Sequence, residues 1–270
     1  MKKILSGLLY TVVILYILVC VLLYFFQEKL IFAPDKLAAD YKFNFPVKFQ
    51  EMTIKTADNE SLNGLLFKAD SSKGLIFYLH GNGGCIGTWG DISKTYTDLN
   101  YDLFELDYRG YGKSTGKINS EEQMFSDIQT AYDSLKLRYS EDKIIVLGYS
   151  LGTGLATKLA ATNHPKKLIL QAPYYSITYM MHKDFPIIPT FLLKYKFATN
   201  KYISNCKIPI AIFHGDADEM IPYDCSVQLM KLTKPTDELI TLKGRGHNGM
   251  SDNPEYVKEL RRVLAKQNNL

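Results

Sequence analysis

The apolar and polar positions divide the chain into three stretches. From Ile4 to Phe26 no residue is charged, and most are Leu, Val, Ile, Tyr or Phe. Such a run is long enough to cross a bilayer as one helix. From Ile31 to Phe49 the pattern loses any period around Pro34 and Pro46. This reads as a connector whose aromatics pack on the following domain or on a membrane interface. Beyond it, short apolar runs alternate with longer amphipathic ones.

The short runs read as strands: Glu51–Thr56, Ser61–Ala69, Leu75–Leu79, Asp102–Leu106, Lys143–Leu147, Lys167–Gln171, Pro209–Phe213 and Leu239–Leu242. The first two flank Asp58-Asn59 and predict a hairpin. Helices are predicted over Trp89–Leu99, Glu121–Arg138, Thr153–Asn163 and Pro254–Lys266. In the second, Ser120 stands at the N-cap and Phe125, Ile128, Ala131 and Leu135 recur at helical spacing. In the last, proline falls in the first turn. Strands alternating with helices predict an α/β fold, a mostly parallel sheet covered on both faces with an antiparallel hairpin at one edge. The expected organisation is an anchor over 1–28, a connector over 29–49 and a domain over 50–270. Within the domain, 174–206 has no clear strand and is rich in Tyr, Phe and Met, with Lys183, Lys194, Lys196 and Lys201 against Asp184. It reads as a short helical lid, most of whose aromatics serve packing.

Composition adds limits. The chain has 270 residues, 46% hydrophobic and 22% charged, with a formal net charge of +4. This is globular composition, and no basic run interleaved with aromatics points to nucleic acid. Lys2 and Lys3 precede the apolar run, and no small-x-small cleavage site follows it. Val19 stands where a lipoprotein site before Cys20 would need a small residue. An uncleaved single-pass anchor is the expectation, with the N-terminus cytoplasmic and the domain on the other side. Of the four cysteines, Cys206 and Cys225 are separated by a strand too long for a disulfide, and Cys85–Cys225 stays open. No paired ligand spacing signals zinc, and no cofactor is expected.

The chemistry centres on Gly148-Tyr149-Ser150-Leu151-Gly152, between a predicted strand and a predicted helix. Gly-x-Ser-x-Gly at such a junction is a nucleophile elbow, whose glycines permit a tight turn that exposes the serine Oγ. Serine needs a base, commonly histidine oriented by a carboxylate. Of five histidines, His247 alone follows both the elbow and every plausible acid. Asp218, after the Pro209–Phe213 strand, is the chosen acid, with Asp216 as alternative and Glu219 behind it. Two backbone N–H groups must meet the developing oxyanion. Leu151 supplies one at the start of a helix. Asn82, in His80-Gly81-Asn82-Gly83-Gly84, supplies the other, with Gly83 as runner-up. His80 and His214 read as structural.

With these residues assembled, the chain resembles the α/β-hydrolase superfamily, and within it the membrane-anchored Bem46-like serine hydrolases. The resemblance runs over most of 27–266. It rests on Gln27-Glu28-Lys29-Leu30-Ile31-Phe32-Ala33-Pro34, His80–Gly84, Asp107-Tyr108-Arg109-Gly110-Tyr111-Gly112-Lys113-Ser114, the elbow, His214-Gly215-x-x-Asp218 and Gly246-His247-Asn248. It departs at Gly84-Cys85, where such relatives more often carry Ala and Asn. The resemblance implies an eight-stranded sheet, a Ser150–Asp218–His247 triad and Asn82 and Leu151 as oxyanion donors. The expected activity is hydrolysis of a carboxylic ester or thioester through an acyl-serine, on a small-molecule or lipid-like acyl substrate. The alternatives are a serine peptidase of the same fold and a catalytically silent binding protein.

Overall fold

The computed structural model describes residues 1–266; residues 267–270, the end of the expected domain, lie outside them. The chain opens with helix α1 (Lys2–Ile31), which continues past the uncharged run to the first residues read as connector. By length and composition α1 can cross a membrane, and its most apolar window is not buried by the rest of the protein.

Eight strands form one sheet: β2 (Phe49–Lys55), β3 (Ser61–Phe67), β4 (Leu75–Leu79), β6 (Asp102–Leu106), β7 (Ile144–Tyr149), β8 (Lys167–Gln171), β9 (Ile210–Gly215) and β10 (Glu238–Leu242). Their spatial order is β10-β9-β8-β7-β4-β6-β3-β2. From β6 to β10 neighbours are parallel. At the other edge β3 pairs antiparallel with β6 and with β2, the expected hairpin, and Asn59 takes φ 66 in its turn.

Alternation along each strand sorts the core onto two faces. Phe77, Val146, Leu168 and Ile212 face the side covered by α4 (Glu121–Lys136) and α5 (Gly152–Thr162). Tyr78, Leu147, Ile169 and Phe213 face the side closed by α9 (Pro254–Ala265). Central strands are apolar on both faces because both faces are covered. Ser120 Oγ caps α4 by accepting from the Gln123 N–H at 3.0 Å.

Two details differ from the sequence expectation. The helix expected over Trp89–Leu99 is three short pieces: α2 (Ile86–Trp89), a 3-10 turn at Gly90–Ile92 and α3 (Ser93–Thr97). The Phe45 ring packs against Gly90 so closely that a Cβ there would stand 2.4 Å from it. A second, two-stranded sheet also forms. Strand β1 (Ala33–Pro34) of the connector pairs parallel with β5 (Gly83–Gly84) in the loop after β4.

Between β8 and β9 the chain makes α6 (Ile177–Asp184), a 3-10 turn at Thr190–Leu192, α7 (Thr199–Tyr202) and a 3-10 turn at Ile203–Asn205. After β9, α8 (Asp224–Met230) leads to β10. Cys85, Cys206 and Cys225 are buried free thiols.

Candidate active site

The turn from β7 into α5 is enforced by packing. Ser150 sits at φ 50, a region side chains rarely adopt, so its neighbours must hold it there. A Cβ on Gly152 would stand 2.0 Å from the Leu79 carbonyl oxygen, and one on Gly148 would stand 2.5 Å from the Gly152 carbonyl oxygen. Only glycine lets α5 start this close to β4 and β7. The Ser150 N–H donates to the Gln171 carbonyl at 2.9 Å, and the Ser150 carbonyl accepts from Thr153 Oγ1 at 2.6 Å. The Tyr174 hydroxyl donates to the Leu151 carbonyl at 3.1 Å.

His247 and Asp218 reach this turn from the loops after β10 and β9. His247 Nε2 lies 3.0 Å from Ser150 Oγ, and its Nδ1 lies 2.8 Å from Asp218 Oδ2. The Tyr149 hydroxyl donates to the His247 carbonyl at 2.8 Å, tying the histidine loop to the strand that carries Ser150. Asp218 Oδ1 accepts the N–H groups of Met220 and Ile221, both at 2.8 Å. His214 Nε2 stands 3.2 Å from Asp218 Oδ2. Burial by itself would raise the Asp218 pKa. Hydrogen bonds from His214, His247 and the Ile221 N–H outweigh it, and the carboxyl is held well below its usual range. A permanently ionised carboxylate behind an imidazole fixes the ring's tautomer and stabilises it when it takes a proton. The alternative acid, Asp216, is engaged in its turn, its Oδ1 accepting the Gly244 N–H at 2.6 Å.

The loop after β4 lies beside the elbow: a Cβ on Gly81 would stand 3.0 Å from the Tyr149 ring, and one on Gly152 would stand 2.8 Å from the His80 carbonyl oxygen. Among the described residues no protein acceptor bonds the N–H of Asn82 or of Leu151. Gly83, the runner-up donor, pairs with Ala33, and its carbonyl accepts Trp89 Nε1–H at 2.7 Å. The Asn82 side chain is a fastener: Oδ1 accepts from the Ala33 N–H at 3.1 Å and the Tyr111 hydroxyl at 3.2 Å. His80, fully buried, places Nδ1 2.7 Å from the Gly81 carbonyl, and its own carbonyl accepts the Tyr108 hydroxyl at 2.7 Å. Sequence reasoning passed over Tyr149, Tyr111, Ala33 and the His214–Asp218 contact. For Tyr149 a signal existed, its place inside the elbow. Among the described residues no group of three or more His, Cys, Asp and Glu side chains could hold a metal ion.

A nucleophile–imidazole–carboxylate line arises on unrelated folds, so family membership rests on wider likeness. A protein-family model described as serine aminopeptidase, S33, matches residues 70–201. The protein named alpha/beta hydrolase domain-containing protein 17B of Xenopus laevis is 30% identical over 203 residues, 73% of this chain and 68% of that protein. The chain belongs to the α/β-hydrolase superfamily. A second relative, lysophosphatidylserine lipase ABHD12 of Macaca fascicularis, is 29% identical over 229 residues, 73% of this chain. The chain spans 57% of that relative's length. Among solved structures, the esterase Pf2001 of Pyrococcus furiosus superposes with a TM-score of 0.67 at 20% identity, over 86% of this chain and 98% of that one. At that identity the likeness speaks for the fold alone. In this α/β-hydrolase, the segment between β8 and β9 leaves the sheet at the same strand ends as the turns that carry Ser150 and Asp218.

Proposed function

We propose that this α/β-hydrolase cleaves a carboxylic ester or thioester through an acyl-Ser150 intermediate, acting on a lipid-like or other acyl substrate at a membrane. His247 takes the serine proton as Oγ attacks the carbonyl carbon, and Asp218 holds the imidazole and stabilises its charge. The N–H groups of Asn82 and Leu151 donate to the oxyanion, helped by the start of α5. His247 then protonates the leaving alcohol or thiol, and later draws a proton from the water that frees the acid. The observation that carries this reading is the unbroken line from Ser150 Oγ through His247 to Asp218 Oδ2, at 3.0 and 2.8 Å. The relative named as a lysophosphatidylserine lipase supports a lipid-like substrate.

The test is labelling of the full chain with a fluorophosphonate probe beside Ser150→Ala and His247→Ala. Wild type should label and Ser150→Ala should not. Equal labelling of Ser150→Ala would remove the nucleophile, and an unlabelled but folded wild type would remove the enzyme. A peptidase reading is favoured by the description of the matching family model. Turnover of aminoacyl anilides in preference to acyl esters would establish it in place of the esterase. We further propose that residues 1–28 anchor the protein, residues 29–49 connect, and the domain lies on the non-cytoplasmic side. Protease protection in sealed membranes, with the domain cleaved only from the non-cytoplasmic face, checks the orientation.

A further inference from the structure

The segment Phe185–Leu193 in the lid carries no charged residue. It is bounded by His182, Lys183 and Asp184 on one side and Lys194 on the other. Three of its large side chains are exposed, Phe185 at 61%, Ile187 at 74% and Phe191 at 80%, while Ile188, Leu192 and Leu193 are half-buried. In water such a cluster is costly, and exposed apolar patches of this kind mark an interaction surface.

The segment lies along α1. The Tyr16 hydroxyl donates to the Ile187 carbonyl at 2.7 Å. Gln27, one turn from the end of the helix and only 5% exposed, donates through Nε2 to the Leu192 carbonyl at 3.1 Å. Gln27 Oε1 accepts the Lys194 N–H at 2.9 Å. Tyr16 precedes Gln27 by eleven residues, about 16 Å of helix. The lid tip therefore runs beside roughly half of a hydrocarbon core about 30 Å thick. If water reached Ile187, the bilayer would have to end near Tyr16. Only Lys2–Leu15 would then remain to span it, about 21 Å of helix.

Part of the tip's backbone finds the internal partners that a medium without water requires, while among the described residues the N–H groups of Ile187, Thr190 and Phe191 have no protein acceptor. Pro186 and Pro189 have no N–H. The N–H groups of Phe185, Ile188, Leu192 and Leu193 bond to carbonyls of the lid itself, at 2.7 to 3.2 Å. The carbonyls of Ile187 and Leu192 are those met by Tyr16 and Gln27.

We propose that Phe185–Leu193 is a membrane-inserted element, its Phe and Ile side chains seated in the acyl chains of the leaflet on the domain's side, against α1. The inference rests on the proposed anchor and not on the acyl-ester chemistry. A lid that leaves the sheet at the strand ends carrying Ser150, and is immersed in a leaflet, opens toward lipid, so an acyl substrate held in that leaflet reaches Ser150 without crossing water.

The test uses the full chain in phosphatidylcholine vesicles and lipids brominated along the acyl chain, which quench tryptophan on contact. Three variants each add one indole to Trp89: Phe191→Trp, Ile187→Trp and, as a control, Leu137→Trp. Leu137 is 88% exposed but follows α4 at the amino end of the strands. Both lid variants should show blue-shifted added emission that brominated lipid removes, while the Leu137→Trp emission stays that of water and unquenched. If the chain floats with vesicles and the lid indoles remain water-like, the lid proposal is wrong and the anchor stands. If the chain does not float, both fall. Fluorophosphonate labelling of the same samples reports on Ser150 independently of either result.

Discussion

Ser150 and the lid tip are held in opposite ways. At the elbow, a strained φ of 50 is imposed by close backbone approach on every side, with Leu79, Gly148, Gly152 and Gln171 all in contact with the turn. At the lid tip, Phe185, Ile187 and Phe191 are exposed and the tie to the rest of the molecule is a few polar contacts with α1, chiefly through Tyr16 and Gln27. One region is fixed by the sheet that carries it, the other by a helix outside that sheet. The two should therefore fail separately: damage at the elbow removes chemistry, and damage at the lid changes motion and access while leaving chemistry in place.

The largest expected effect lies at the elbow. Ser150→Ala and His247→Ala should each lower kcat by roughly 10³–10⁶ on a soluble ester, with little change in melting temperature. A drop below about tenfold in either would show that the line does not carry the reaction. Gly152→Ala comes next, and it strikes fold and chemistry together. Its Cβ would meet the Leu79 carbonyl oxygen at 2.0 Å, so β4 and α5 must separate. Overpacking of this kind costs on the order of 1–3 kcal/mol or more. For a chain of this size that lowers the melting temperature by several degrees, about 2–4 °C per kcal/mol. Wild-type stability and activity in Gly152→Ala would mean that the elbow is not held by close backbone approach.

How far these regions were legible in the sequence follows the same division. Strands β4, β6 and β8 fall on the predicted residues because each is a short run buried on both faces, wholly apolar in β4 and apolar at its centre in β8, though β6 carries Asp102 and Glu105. The order of Ser150, Asp218 and His247 could be read because each follows a strand. The pairing of β1 with β5 could not. Ala33-Pro34 and Gly83-Gly84 have no hydrophobic period, and their contact joins residues far apart in the chain. The break at Gly90 depends on Phe45, which approaches from the connector. His214 read as structural, yet it bonds the same carboxylate as His247, because the Asp218 loop folds back through the N–H groups of Met220 and Ile221. The uncharged stretch Phe185–Leu193 was in plain view, but its meaning appears only once it lies beside α1.

A moderate effect is expected from the lid's own fastener. Gln27→Ala removes the partners of the Leu192 carbonyl and the Lys194 N–H together. Leaving such groups unpaired costs about 1–3 kcal/mol. Amide exchange across Phe185–Lys196 should accelerate about tenfold or more, since about 1.4 kcal/mol is a factor of ten. Exchange in β7 and the rate on a soluble ester should stay as in wild type. Equal acceleration in β7 would mean that lid and sheet open as one unit and that the division drawn above is wrong.

The smallest effect concerns pH, and it tests the support beneath the loop after β4, the proposed oxyanion loop. Asp107 accepts the Ile86 N–H at 2.8 Å, and its Oδ1 stands 3.9 Å from His80 Nε2. Burial raises the Asp107 pKa from 3.8 to about 7, against the opposing effects of the Ile86 N–H and Lys36. Burial also lowers His80 from 6.5 to about 4. Both groups are uncharged in the folded protein over the interval between. For Asp107 the folded state holds the extra proton, so stability falls as pH rises from about 4 to about 7. For His80 the unfolded state holds it, so stability rises from about 4 to about 6.5. The two slopes, each about 1.4 kcal/mol per pH unit at most, oppose one another in wild type. Asp107→Asn keeps an acceptor for Ile86 and removes one slope, so the variant should gain stability over wild type as pH climbs from 4 to 7. Denaturant midpoints at half-unit pH intervals give the comparison, and parallel curves for the two proteins would show that Asp107 is ionised in its buried site.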